Sequence, residues 1–282
     1  MTVELTKVLG AELAPTTYSW DEESVILYHL GLGAGQPSTS EFELSLTYEA
    51  GLQVLPTFAT IPPFLTMLGI GGVEGLEFNP ALLLHGEHEI RLERDIPTSG
   101  TVTNEGKIVE VWDKGKGALL VVEVVSRDKD GSTLFTNRGS LYLRGEGGFG
   151  GKPGPSPANE APQREPDWVL SSPTLPQQAL IYRLSGDKNP LHADPEFAAF
   201  AGFDRPILHG LSSFGTIAKA VISGVMDGDS SAMRRFRARF TGPVYPGETI
   251  VTNVWRELDR LLVSAFAAER NTPVLANAAV WS

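Results

Sequence analysis

Residues 182–210 read YRLSGDKNPLHADPEFAAFAGFDRPILHG, and residues 211–225 continue as LSSFGTIAKAVISGV. The two runs differ in kind. The first is polar, broken by proline and glycine, and places Asp187, Asn189 and His192 within six residues around Pro190. Pro190 fixes its own φ and pushes Asn189 out of the α region, so Asp-Lys-Asn-Pro reads as a rigid turn rather than a helix. The second run is an apolar helix with many small residues, the kind that a sheet wraps and buries. A turn of this type brings Asp187 and His192 toward a common point. A carboxylate beside an imidazole is a general acid/base pair.

Working outward, 175–184 (LPQQALIYRL) reads as helical, and Pro195 opens a short helix, EFAAFAG. Strands are expected at 233–244, 248–257, 260–268 and 273–281, with Pro246-Gly247 at one turn. Residues 145–167, GEGGFGGKPGPSPANEAPQREPD, are dense in Gly, Pro and charge and read as a linker between domains. The first half begins with a helix over 20–31, with acids in its first turn, closed by Gly31-Leu32-Gly33-Ala34-Gly35. That glycine cluster follows a helical pattern and precedes Gln36-Pro37, so it is not a dinucleotide fingerprint. Thr57–Ile61 is strand-like, and Pro62-Pro63 starts a mostly apolar helix, FLTMLGIGG. Strands follow at 82–95, 100–113, 117–128 and 132–144, with Lys-Asp-Gly at 129–131 as a hairpin turn.

Helices followed by an antiparallel meander thus occur twice. Residues 96–104 (IPTSGTVTN) also echo 244–253 (VYPGETIVTN) with one gap. Together these features indicate an internal duplication of about 120 residues. Leu84-His85-Gly86 echoes Leu208-His209-Gly210 as well, but the first lies on a strand and the second at a helix start, so they are not equivalent.

The 282 residues, 41% hydrophobic and 20% charged, suffice for one large or two ordinary domains with a sizeable core. No apolar run reaches transmembrane length, the N-terminal MTVELTKVLGAELAP lacks a secretory h-region, and AVWS is not a peroxisomal Ser-Lys-Leu address. Absence of cysteine excludes disulfides, thiolate nucleophiles and cysteine metal sites, and fits a cytoplasmic protein. A net charge of −11 argues against nucleic acid as a partner. An anionic small ligand would need a local basic patch, and Arg234–Phe240 (RRFRARF) offers one. As a strand it puts Arg235, Arg237 and Arg239 on one face and Phe236 and Phe240 on the other. The same pattern also fits a solvated strand face over a core.

Tyr182-Arg183-Leu184-Ser185-Gly186-Asp187-Lys188-Asn189-Pro190-Leu191-His192, with Ala198 six residues on, resembles the signature of R-specific enoyl-CoA hydratases, the MaoC-like dehydratase family. HADPEFAAFAGFDRPILHGL and PVYPGET extend the resemblance, and LYHLGLGAG and LLHGE look like the N-terminal half of its double form. The resemblance implies an α+β fold of two hot-dog units, each a long helix wrapped by an antiparallel sheet. Residues 1–145 would be a degenerate unit that makes room for the acyl group, 146–167 a linker and 168–282 the catalytic unit. It further implies reversible addition of water to a trans-2-enoyl-CoA, giving an (R)-3-hydroxyacyl-CoA. No cofactor is needed beyond the CoA of the substrate, and no membrane takes part. Two chains would pair as a homodimer.

In that chemistry Asp187 and His192 hold one water, either being able to take its proton, while Asn189 anchors the turn. The backbone N–H of Gly210 meets the thioester oxygen. The residues agree independently, because Gly210 opens the apolar helix, where unpaired N–H groups favour negative charge. Lys188, Arg205, Arg235, Arg237 and Arg239 are candidates for the CoA phosphates by charge and position. His209 reads as a cap or as packing beneath the site, and His29, His85 and His88 as structural or exposed. Strand alternation would turn His85 and His88 to opposite faces, and no metal site is expected. Asp194, Glu196 and Asp204 read as surface or capping acids. Competing readings are a hot-dog acyl-CoA thioesterase and a non-catalytic acyl-CoA-binding subunit. By analogy, duplication favours long, branched or sterol-derived acyl groups.

Overall fold

Alternating burial builds the sheet. In β3 (Gly100–Asp113), Val102, Asn104, Gly106 and Ile108 are buried while Thr101, Thr103, Glu105 and Lys107 are exposed. The computed structural model describes residues 3–156 and 158–282. Within them lie β1 (Glu12–Trp20), β2 (Leu83–Leu92), β4 (Gly117–Arg127), β5 (Thr133–Arg144) and β6 (Trp168–Pro173). β7 (Arg235–Phe240), β8 (Thr249–Arg256), β9 (Leu261–Ala267) and β10 (Thr272–Trp281) complete the set. They form one open sheet in the order β1-β3-β4-β5-β2-β7-β10-β9-β8-β6, with every neighbouring pair antiparallel.

The order β1-β3-β4-β5-β2 is repeated as β6-β8-β9-β10-β7, so the duplication seen in the sequence is also present in space. The residues 96–104 and 244–253 that echo each other lead into the equivalent strands β3 and β8. The two halves meet where β2 pairs with β7, with Glu89 opposite Arg237 and Ile90 opposite Phe236. Arg235 bonds Glu89 (2.9 Å) and Arg237 bonds Glu87 (2.8 Å) across this seam.

Short helices α1 (Leu5–Val8), α2 (Glu22–Leu30), α3 (Glu41–Ser45) and α4 (Phe64–Leu68) belong to the first half. The second half has α5 (Gln178–Tyr182), α6 (Pro195–Phe200) and the 16-residue α7 (Gly210–Val225). α7 buries Phe214, Ile217, Ala218, Val221 and Ile222, each large side chain contributing about 1.5–3 kcal/mol by leaving water. A Cβ on Gly215 would lie 2.6 Å from Leu32 and 2.9 Å from the Tyr28 hydroxyl, so glycine there lets the first half press against α7. Glu43 and Lys219 form a largely buried ion pair at 2.6 Å that joins α3 to α7. The main core accordingly spans both halves, from Tyr28, Phe58 and Phe135 to Phe214 and Phe236. A second core under α4 includes Met67, Ile108, Leu120 and Leu141.

Four differences from the sequence reading stand out. Residues 57–61 are not a strand, because Pro56 opens a fully buried 3-10 turn, Pro56–Thr60, that Pro62-Pro63 follows. Among the described residues the first half has no long helix, since α4 ends at Leu68 and continues only as a 3-10 turn, Gly69–Gly72. Edge strands β1 and β6 were not anticipated. Finally, the described part of 145–167 has no helix or strand, yet both its ends are fastened. The Asp113 carboxylate accepts the N–H groups of Gly115 (2.8 Å), Gly148 (2.9 Å) and Gly150 (2.9 Å). Arg164 accepts the Trp255 indole N–H through its carbonyl (2.9 Å) and pairs with Asp167 (2.9 Å).

Candidate active site

The turn is built as its sequence requires. α5 ends at Tyr182, a 3-10 turn covers Arg183–Ser185, and Gly186 adopts φ 137°, a backbone open to glycine. Asp187 then accepts the Asn189 N–H (3.0 Å), and the Asn189 side chain accepts the Leu191 N–H (3.0 Å) as N-cap of the single 3-10 turn Pro190–His192. Asn189 thus anchors the turn.

His192 is 8% exposed, and its Nδ1–H donates to the Ile207 carbonyl (2.9 Å), which leaves Nε2 as the bare nitrogen. Burial holds this imidazole below its ordinary value, against the upward pull of the Ile207 carbonyl and Asp187. It is therefore neutral at pH 7 and able to accept a proton. A carboxylate oxygen of Asp187, a ring nitrogen of His192 and one of His209 all lie within 4.8 Å of one another. A water hydrogen-bonded at about 2.8 Å to each of two groups spans such a separation. By type and spacing the three groups could also ligate a divalent cation, a cluster not anticipated from the sequence, where no metal site was expected.

His209 is the N-cap of α7 but makes no side-chain cap bond. It packs beneath the site, its ring stacked on His192 with centroids 3.7 Å apart. Next in the chain, Gly210 is exposed, and its N–H has no acceptor among the described residues. The Phe240 ring would be 3.5 Å from a Cβ at this position, an ordinary packing distance. The N-terminus of this 16-residue helix, one residue from the His209 ring that stacks on His192, carries the partial positive charge of a helix start.

The first half closes the site from behind. The hydroxyls of Tyr28, Thr57 and Tyr182 are buried together, with the phenols of Tyr28 and Tyr182 turned toward Thr60 and that of Tyr28 also toward Thr57, and the Tyr28 and Tyr182 rings lie 5.9 Å apart. Burial raises both phenols above their ordinary value, so they stay protonated. His29 is structural, donating to the Leu46 carbonyl (2.7 Å) and accepting the Leu55 N–H (3.1 Å).

His85 and His88 do not face opposite ways. A bulge between His85 and Glu87 removes one step of the alternation and puts both rings on the core face, with His85 Nε2 and His88 Nδ1 3.1 Å apart. The Asn137 amide nitrogen is engaged by the Ala59 carbonyl (2.9 Å), so its oxygen accepts His88 Nε2–H (2.9 Å) and His88 Nδ1 accepts from His85. His85 packs against Phe240 (5.1 Å), the ring beside Gly210. Only the residue types, two histidines beside a glycine, hinted at this chain in the sequence.

Of the basic candidates, Arg235 and Arg237 are paired with Glu89 and Glu87, as at any charged strand face. Arg205 lies over the Tyr245 ring (5.0 Å), and Lys188 and Arg239 are exposed with no ion pair among the described residues. Asp194 caps α6, with Glu196 in its first turn, and Asp204 is exposed. No helix among the described residues is long and apolar enough to cross a membrane.

With this geometry in place, likeness to known proteins is informative. Residues 18–145 match the family described as MFE-2 hydratase 2 N-terminal domain, and residues 157–273 match the MaoC like domain. The chain is 43% identical over 277 residues to an enoyl-CoA hydratase of Mycobacterium tuberculosis, covering 98% of this chain and 97% of that protein. It is 40% identical to the peroxisomal enoyl-CoA hydratase 2 of Arabidopsis thaliana, covering 95% of this chain and 92% of that protein. Its structure is similar to a MaoC-like dehydratase from Phytophthora capsici, with a TM-score of 0.88 and 33% identity over 99% of this chain and 98% of that one. The chain belongs to the MaoC-like dehydratase family in its double hot-dog form, joining a hydratase 2 N-terminal half to a MaoC-like C-terminal half.

Proposed function

We propose that this protein reversibly hydrates trans-2-enoyl-CoA thioesters to (R)-3-hydroxyacyl-CoA. The observation that carries the reading is a carboxylate and a neutral imidazole within 4.8 Å, beside the free N-terminus of α7. One water sits between Asp187 and His192. As its oxygen bonds C3, one of the two takes its proton, the C2–C3 π pair moves toward the thioester, and the enolate oxygen is met by the Gly210 N–H. A proton delivered to C2 completes the product, and reversal gives dehydration. The chain's own groups suffice, and CoA arrives with the substrate. Asp187, His192, Asn189 and Gly210 carry the chemistry, residues 1–145 make room for the acyl group and 168–282 hold the site.

Lys188, Arg205 and Arg239 are, by charge, the candidates to meet the CoA phosphates. Arg235 and Arg237 would do so only by giving up Glu89 and Glu87. Charge reversal at each of the five positions should raise KM at those that bind CoA. A homodimer in the cytoplasm belongs to the same proposal, although one relative is named peroxisomal. Sedimentation and cell fractionation test these two points.

Incubation with a trans-2-enoyl-CoA decides the reaction. Loss of the conjugated-enoyl absorbance with an R product supports hydration, release of free thiol indicates a thioesterase, and binding without turnover indicates a carrier. A chain-length series extending to branched and sterol-derived acyl groups reads the specificity.

A further inference from the structure

We propose that His209 is a positioning residue, a single side chain that fixes Asp187 relative to His192 and ties both to the helix end bearing Gly210. The inference rests on the hydratase reading and deepens it. Three contacts made by this one ring carry it. Its Nε2–H donates to the backbone carbonyl of Asp187 (3.2 Å), holding the acidic arm of the turn. Its face stacks on His192 with centroids 3.7 Å apart and planes at 25°. Its other side meets Tyr182 at 4.9 Å, the residue from which the turn departs. Through its own backbone it is the N-cap of α7, one peptide from the Gly210 N–H.

The chemistry of the ring distinguishes this role from packing or capping. An N-cap side chain normally accepts an N–H of the first helical turn, whereas His209 makes no such bond and turns toward the catalytic turn. It is 1% exposed, and its Nδ1 is buried without a partner. Leaving a buried acceptor unpaired is costly, a penalty that phenylalanine would escape at a similar volume. What phenylalanine lacks is the Nε2–H on the Asp187 carbonyl. Burial and the neighbouring His192 hold the imidazole far below its ordinary value, so it stacks as a neutral ring and does not repel a His192 that takes up a proton. A small misplacement of either arm of an acid/base pair lowers turnover by as much as about 100-fold.

The test compares His209→Phe, which keeps the stack and loses the donor, with His209→Gln, which keeps a donor at the Nε2 position and loses the ring. Steady-state kinetics on a trans-2-enoyl-CoA should give a kcat reduced about 10- to 100-fold in His209→Phe, with KM changed less than about 3-fold. His209→Gln should recover at least a part of that loss. Thermal melting measures folding separately, and His209→Phe should melt no lower than the parent. A parental kcat in His209→Phe, or a His209→Gln no better than it, overturns the proposal. So does a kcat loss that only tracks the loss of folded protein. Asp187→Asn and His192→Ala separate the two levels. If these stay active the hydratase reading falls, whereas if they are dead and His209→Phe is unimpaired only the role of His209 falls.

Discussion

The two halves share one strand order and differ at the point where chemistry begins. In the C-terminal half a helix of 16 residues opens at His209 and Gly210, with a free N–H and an Asp–His pair beside it. In the N-terminal half the corresponding helix opens after Pro62-Pro63 and spans only Phe64–Leu68. The N–H of its first residue, Phe64, is already taken by the Ile61 carbonyl (3.2 Å), and no Asp-x-Asn-Pro-x-His occurs in that half. The hot-dog scaffold therefore needs neither the long helix nor the open donor to fold. Both belong to the proposed site, behind which Tyr28 of the first half packs on Tyr182.

The strongest way to break this contrast is to remove the acid/base pair. Asp187→Asn and His192→Ala should each lower kcat by about 10³- to 10⁴-fold, read as loss of enoyl absorbance, with acyl-CoA binding retained. Gly210→Pro instead removes the open donor of the C-terminal half, as the Ile61 carbonyl occupies that of its counterpart. Proline is tolerated at the first helical position, His209 already has φ −58° and ψ 137°, and Phe240 leaves room for a Cβ. The fold should survive, and kcat should fall about 10²- to 10³-fold through loss of the oxyanion donor.

The N-terminal half should respond in stability rather than in chemistry. Asn137→Leu strands His88 Nε2–H and the Ala59 carbonyl and should cost about 1–3 kcal/mol in urea unfolding, with a smaller effect on kcat than either change above. Buried imidazoles set the acid limit in both halves, His192 and His209 in the second and three more in the first. Burial lowers His29 and His88 to about 4 and His85 to about 3, whereas unfolded imidazoles take up protons near pH 6.5. Between these values the unfolded chain binds more protons, so stability is full above about pH 6.5 and falls as the pH drops toward 4. Urea titrations at several pH values check this, and His88→Phe should flatten the slope. The smallest effect is expected at the seam. Arg237→Ala removes a partly exposed pair with Glu87 and should cost about 0.2–1 kcal/mol.

The site was legible because it is local. Asp187, Asn189, Pro190 and His192 specify their own turn, and the bonds that hold it run between near neighbours. The stack of His209 on His192 joins residues 17 positions apart in sequence through the fold, and no local pattern announces it. The meander strands were read from period-two alternation, which is strongest where one face is buried. The two strands that escaped notice, β1 and β6, are the two edges of the sheet. Each includes a proline, Pro15 or Pro173, and β1 loses register between Leu13 and Thr16. Edge strands tolerate such interruptions, so the signal fails there. The bulge at Gly86 defeated the alternation rule for His85 and His88 in the same way, by shifting one residue out of step.

The antiparallel junction of β2 with β7 fuses the two halves into one sheet. When two identical polypeptides share a sheet, every replacement is made at both ends at once. Here a replacement is made once. Two prolines can blunt one helix while a histidine and a glycine sharpen its twin, so a single translation product holds its tool and its handle in one continuous layer of hydrogen bonds.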